Sequence, residues 1–339
     1  VSASAGAAPA DTFLTLARLT YVDDSPERRS DALALLAEQP DLARRDVFAA
    51  AALGDRDAVG EHLDRDPAVA SAAGDDGWTP LMCLTYARVP QRDAYGTARL
   101  LLDAGADPDA GVLLGGDVPP FTALTGCFGE GEQGPGRQPR HPQGEALATL
   151  LLERGADPSD GQALYNRMFG RDDSHLRLLL AHGLGRGDGG TWRRRLGERQ
   201  DPPGRMVALQ VDWARDHGFT DRLTLLAAYG FGEGTPLDHP SPWHERVALP
   251  AVFAAATPAG VRGVAAEGAP LDVKHHGRTL LHHAAWIDDV ELVEVLLELG
   301  ADPGVLDDEH RATPLGWAAW AYAHRTAALL RPVTPEPLA

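Results

Sequence analysis

The side chains of this chain best suited to chemistry are imidazoles gathered late in the sequence: His275 and His276, His282 and His283, and His310. Zinc takes three or four nitrogen, sulfur or carboxylate ligands, and His276, Asp308 and His310 would meet if the segments carrying them stacked side by side. Their spacing is not an established ligand pattern, so no metal and no other cofactor is expected. Lys274 is the only lysine in the chain and hence the one candidate for Schiff-base chemistry. The preference for arginine fits a high-GC coding sequence and carries no mechanism. Cys83 and Cys127 each stand alone, with no CxxC pair, which excludes a disulfide framework or zinc ribbon and points to a reducing, cytoplasmic setting. GxSxG, HExxH, Walker and Rossmann glycine patterns are all missing in a suitable setting, so no catalytic residue is assigned.

The element that must position the histidines runs from Lys274 to Asp308. Gly277 marks a turn and Thr279 an N-cap, and Leu280, Leu281, Ala284 and Ala285 then fall on one face of a short helix. Asp288 and Asp289 restart the chain, and Leu292, Val293, Leu296 and Leu297 line a second amphipathic helix that Gly300 stops before Pro303. Such a helix pair cannot bury its own apolar face and implies copies on either side.

The copies are present. Gly77-Trp78-Thr79-Pro80-Leu81 leads to Gly105-Ala106-Asp107-Pro108, Thr122-Ala123-Leu124 leads to Gly155-Ala156-Asp157-Pro158, and Thr313-Pro314-Leu315 repeats the opening once more. Gln162-Ala163-Leu164 opens another, and the copies at Val207-Ala208-Leu209 and Val247-Ala248-Leu249 keep the periodicity without the threonine and proline. In order and type these residues resemble the ankyrin repeat proteins, of the degenerate, bacterial kind. The resemblance implies an all-α solenoid of helix-turn-helix units with short β-turn fingers. We expect a flexible leader over 1–11, a helical cap over 12–41, about eight repeats over 42–333 and a disordered tail over 334–339. Insertions are expected near 88–95, 129–144 and 184–205. The second, glycine- and proline-rich with no apolar anchor, reads as a mobile excursion, and the third as irregular chain with one short helix around Trp192 to Leu196.

In that family finger tips and the exposed side of the first helices bind partners, which maps binding onto Trp78 and Phe121, just before the motif threonine. It also maps binding onto Tyr86, Phe169, Trp286 and Trp320, each five residues after the motif leucine. Aromatic residues at one register provide contact area at low entropy cost, although the same spacing also suits packing between repeats. Trp286 and Trp320 are expected to be partly exposed. His275, His276 and His310, with the acidic finger residues Asp75 and Asp76, complete the expected partner surface. His282 occupies the family's TPLH histidine, where hydrogen bonding that ties fingers together is implied. Arg193 to Arg195 are expected to pair with the chain's own carboxylates, the alternative being a phosphate or an acidic segment of a partner.

The net charge of -18 repels nucleic acid and anionic membrane surfaces and favours a basic or neutral protein partner. No apolar run approaches the length of a membrane span. A scaffold that binds another protein is the leading expectation. The alternative is a small-molecule binding protein or atypical enzyme, using an aromatic and histidine-lined groove under the 129–144 excursion.

Overall fold

The computed structural model describes residues 9–232 and 248–335. The start of the expected leader, the end of the tail and the opening of the copy at Val247 lie outside the described residues. The first helix, Pro9–Ala17, begins inside the stretch expected to be leader. Together with Pro26–Glu38 it packs ahead of the repeats, and Ser25 caps the second helix in front of Pro26.

The fold is all-α. Behind the cap, helix pairs follow one another among the described residues: Val47–Ala52 with Arg56–Arg65, Pro80–Tyr86 with Ala94–Asp103, Ala123–Phe128 with Gly144–Glu153, and Gly161–Met168 with Ser174–Ala181. Pro203–Asp216 with Thr220–Ala228, Ala251–Ala254 with Pro258–Ala266, Leu280–Trp286 with Val290–Glu298, and Pro314–Trp320 with His324–Leu330 continue the series. Two compact units result, Val1–Glu132 with Gln138–Met206, and Gln133–Arg137 with Val207–Ala339.

Within each unit first helices pack on first helices and second on second, so leucine and alanine faces close into a core between the two layers. In the first unit Ala50, Leu81 and Leu124 fill the inner layer, and Val59, Leu101 and Leu147 the outer. In the second unit Leu281 and Ala318 face each other within one layer, and Val261, Val293 and Leu330 line the other. Local chemistry sets the helix starts. Thr79, Thr122, Asp160, Asp289 and Thr313 each accept a backbone N–H from the first turn of the helix they precede. Gly300, at φ 92, ends Val290–Glu298 in the left-handed region that a Cβ would oppose.

Repeats are joined by polar contacts as well as leucines. His282 Nδ1 accepts from the Thr279 N–H at 3.3 Å, and its Nε2 donates to the Ala312 carbonyl of the next finger at 3.1 Å. This is the finger-tying role implied for the TPLH histidine, and burial keeps the ring neutral by lowering its pKa. In the first unit the buried Asp160 carboxylate accepts from the hydroxyls of Thr122 (2.5 Å) and Thr125 (2.9 Å) in the preceding copy, and from its own Ala163 N–H. Gly111–Val112 and Phe121–Thr122 pair antiparallel as one short finger, with Gly111 opposite Thr122.

The 129–144 excursion is built into the structure, which corrects the expectation of a mobile loop without anchors. Its anchors are polar. The Arg88 guanidinium donates to the carbonyls of Thr85 (2.9 Å), Ala87 (3.0 Å), Gly126 (2.7 Å) and Pro139 (2.6 Å). Buried Gln138 donates to Asp24, and buried His141 bonds Gln91 through Nε2 at 2.6 Å. Residues 134–137 form a short helical turn in the second unit, where Arg137 Nε donates to the Trp320 carbonyl at 2.5 Å.

The 184–205 stretch contains the helix Gly190–Leu196, followed by a 3-10 turn at Gly197–Arg199 and the start of Pro203–Asp216, and the Trp192 indole N–H holds it by donating to the Asp109 carbonyl. Arg194 pairs with Asp188 and Arg205 with Asp201, whereas Arg195 lies over the Trp192 ring and Arg199 donates to the Gly116 carbonyl. Internal carboxylates therefore engage only part of this basic stretch.

Candidate functional site

The register aromatics do not share one environment, because what covers each of them differs. Tyr86 is fully buried, and its hydroxyl donates to the Thr122 carbonyl at 2.8 Å. Trp78, 5% exposed, meets Tyr86 edge to face with centroids 4.6 Å apart and lies under the Arg18 guanidinium. Arg18 also pairs with Asp76 at 2.8 Å, so the Asp75–Trp78 finger is partly occupied from within the chain, although Asp75, Asp76 and Gly77 remain exposed. Phe121 is half-buried against Tyr21, and Phe169 half-buried against Tyr165. These contacts are made within the chain, with the cap, with the same copy or, for Tyr86, with the next one. For Trp78 and Tyr86 that replaces the surface role expected from spacing.

The second unit separates Trp286 from Trp320. Their helices pack side by side, but Trp286 is only 7% exposed, against an expectation of partial exposure. The reason is the turn at 134–137: a Cβ on Gly134 would come within 3.0 Å of the Trp286 indole nitrogen. Trp320 is 47% exposed, with the Arg137 guanidinium 5.1 Å from its ring. Nearby in sequence, Trp317 lies beneath Arg278 and beside exposed His310. Trp317 was missed in the sequence reading, although its place two residues after Leu315 repeats that of His283 after Leu281.

Asp307 belongs to the structure of this last finger and not to its surface. Its fully buried carboxylate accepts from the N–H groups of Glu309, His310 and Ala312 and from the Trp317 indole. Burial alone would raise its pKa, but those four donors hold it down at about 2.

The histidines converge differently from the set the spacing suggested. Asp308 pairs with Lys274, and His310 lies by Glu309 and Trp317. The ligand-type side chains that meet are Asp216, His217, His275 and His276, which offer one donor atom each within 4.8 Å of one another. His275 and His276 sit on a two-residue hairpin: His275 and Arg278 exchange both backbone hydrogen bonds, and His276 (φ 47) and Gly277 (φ 77) take the left-handed conformations between them. Asp216 and His217 come from the end of Pro203–Asp216, where Gly218 (φ 68) turns the chain and the Phe219 N–H returns to the Ala214 carbonyl. His276 Nε2 meets Asp216 Oδ2 at 2.7 Å. Burial and the neighbouring His276 lower the pKa of His275. Asp216 and His217 were not legible as partners of this finger, since no local pattern joins a helix end to a hairpin so far along the chain.

Among the described residues no helix is long and apolar enough to cross a membrane. The family model described as ankyrin repeat matches residues 76–111 and 276–308. Among solved structures, the crystal structure of the human ASB11 ankyrin repeat domain is similar at 18% identity, covering 86% of this chain and 99% of that chain with a TM-score of 0.30. No curated protein matches the chain.

Proposed function

We propose that this chain, an ankyrin-repeat protein, acts as an interaction scaffold that binds another protein through its last fingers and first helices. Ankyrin repeats generally mediate protein–protein interaction. The observation that carries the reading is Trp320, the one tryptophan among the large apolar side chains left exposed in the described residues. Half-exposed tryptophan flanked by polar groups suits a hot-spot anchor. Exposed His310 and half-buried Trp317 extend that surface in the second unit, while Asp75 offers a separate acidic contact in the first. With a net charge of -18 the favoured partner is a basic or neutral protein, and nucleic acid and anionic membrane are disfavoured.

The test uses tagged full-length protein and Trp320→Ala, compared by capture from native extract followed by titration of the recovered partner. The expected result is a partner whose affinity falls by at least ~30-fold with Trp320→Ala, the scale of a hot-spot residue, while the circular dichroism spectrum and melting temperature are retained. Equal affinity for both proteins would refute the assignment.

A further inference from the structure

We propose that Asp216, His217, His275 and His276 form a transition-metal site, of the kind that takes zinc, stapling the Lys274 finger to the end of the helix Pro203–Asp216. All four belong to the second unit. Their donor atoms lie within 4.8 Å of one another, and a tetrahedral ion with bonds of about 2.0–2.1 Å needs them roughly 3.3 Å apart. Small side-chain rotations close that difference.

Three observations point to a cation. His275 is 3% exposed, and its Nε2 donates to the Asp216 carbonyl at 2.9 Å, which leaves the buried Nδ1 without a hydrogen-bond partner. A nitrogen whose tautomer is fixed by a backbone carbonyl on the far side of the ring is the usual arrangement of a metal-bound imidazole. The tautomer of His217 is fixed in the same way, with Nδ1 donating to the Trp213 carbonyl at 3.0 Å and lying 3.6 Å from Asp216 Oδ2. Finally, the cluster sits at a helix C-terminus, where the backbone carbonyls favour positive charge, and the 2.7 Å contact between His276 and Asp216 places a proton where an ion would bridge them.

Three imidazoles and one carboxylate suit zinc and exclude calcium or magnesium, which take oxygen ligands. Four protein ligands also fill a tetrahedral shell and leave no open position, so the site is structural and not hydrolytic. Trp213 stacked on His217 at 3.8 Å and Phe253 at 5.2 Å from His275 form an apolar wall that limits exchange with water.

The experiment dialyses full-length protein against a chelator and titrates it with zinc against a chromophoric competitor, then repeats the titration with cobalt. We expect one zinc per chain, intense visible bands of four-coordinate cobalt, and a rise in melting temperature with zinc. His276→Ala and His217→Ala should each weaken zinc by at least ~100-fold, whereas His310→Ala should leave it unchanged. Pale six-coordinate cobalt spectra would overturn the site, as would zinc binding retained in the double variant His217→Ala/His276→Ala. If a variant fails to fold, the stoichiometry and cobalt spectrum of the unaltered protein decide.

Discussion

Replacing Arg88 by methionine should loosen the 129–144 excursion and the repeats it spans. The guanidinium makes four hydrogen bonds to carbonyls at 2.6–3.0 Å, two of them to Gly126 and Pro139 beyond its own helix turn. A hydrogen bond to a charged group contributes about 1.5–3 kcal/mol, so four give roughly 6 kcal/mol at the lower end. Against that stands the desolvation that pulls the Arg88 pKa from 12.5 to about 10, equivalent to about 3 kcal/mol at 1.36 kcal/mol per unit. The net loss expected for Arg88→Met is therefore about 3 kcal/mol, read from the midpoint and slope of urea unfolding. Arg88→Lys keeps the charge but cannot fan out to four carbonyls, and should fall in between. Limited trypsin digestion gives a second readout, because cleavage after Arg140 requires its side chain to leave Glu130, within the excursion, and Asp172, beyond it. A loss below about 1 kcal/mol with unchanged cleavage would refute the anchoring argument and restore the mobile loop.

Other outcomes follow from the same structure. Tyr86→Ala should cost about 3–5 kcal/mol of folding stability as a fully buried aromatic, while Trp320→Ala should cost less than about 1 kcal/mol; similar values in urea unfolding would contradict the burial difference. Gly126→Ala would ordinarily stabilise a helix by about 1 kcal/mol, but a Cβ there would lie 2.5 Å from Tyr86 Cε2, so unfolding experiments should show destabilisation of about 1–3 kcal/mol. The Asp307 pKa of about 2 is below the unfolded value near 3.9, so its contribution is present above about pH 4 and lost as pH falls toward 2. The stability gap between the unaltered protein and Asp307→Asn should narrow over that interval, and a constant gap would refute the role given to the carboxylate.

The parts of this molecule legible in its sequence are those fixed within a few residues. Thr79 before Pro80, Thr279 before Leu280 and Gly300 after Val290–Glu298 reveal caps and stops because each acts on its own helix turn. The apolar period adds which face is buried. Burial of a particular aromatic is a different matter: Trp286 and Trp320 hold the same register, and only the turn at 134–137 against Trp286 separates them. That turn was misread because its surroundings are anchored by Arg88, Gln138 and His141, and polar anchors leave no periodic trace. The Asp216, His217, His275 and His276 convergence was equally hidden, since His276 suggested a partner on the next finger and the structure supplies one from an earlier helix end.

The two kinds of joint between repeats imply different tolerance to rearrangement. At the His282 joint the acceptor is the backbone carbonyl of Ala312, which any amino acid provides, so this contact places no demand on the side chains of the following unit. At the Asp160 joint the donors are the hydroxyls of Thr122 and Thr125, and both neighbours must carry matched side chains. Recombination that duplicates or deletes whole units would therefore keep the His282 contact and leave a buried, unmatched carboxylate at the Asp160 joint. One contact is indifferent to the side chains that follow it and the other is keyed to its neighbour, so the second ties two copies to each other in a fixed order.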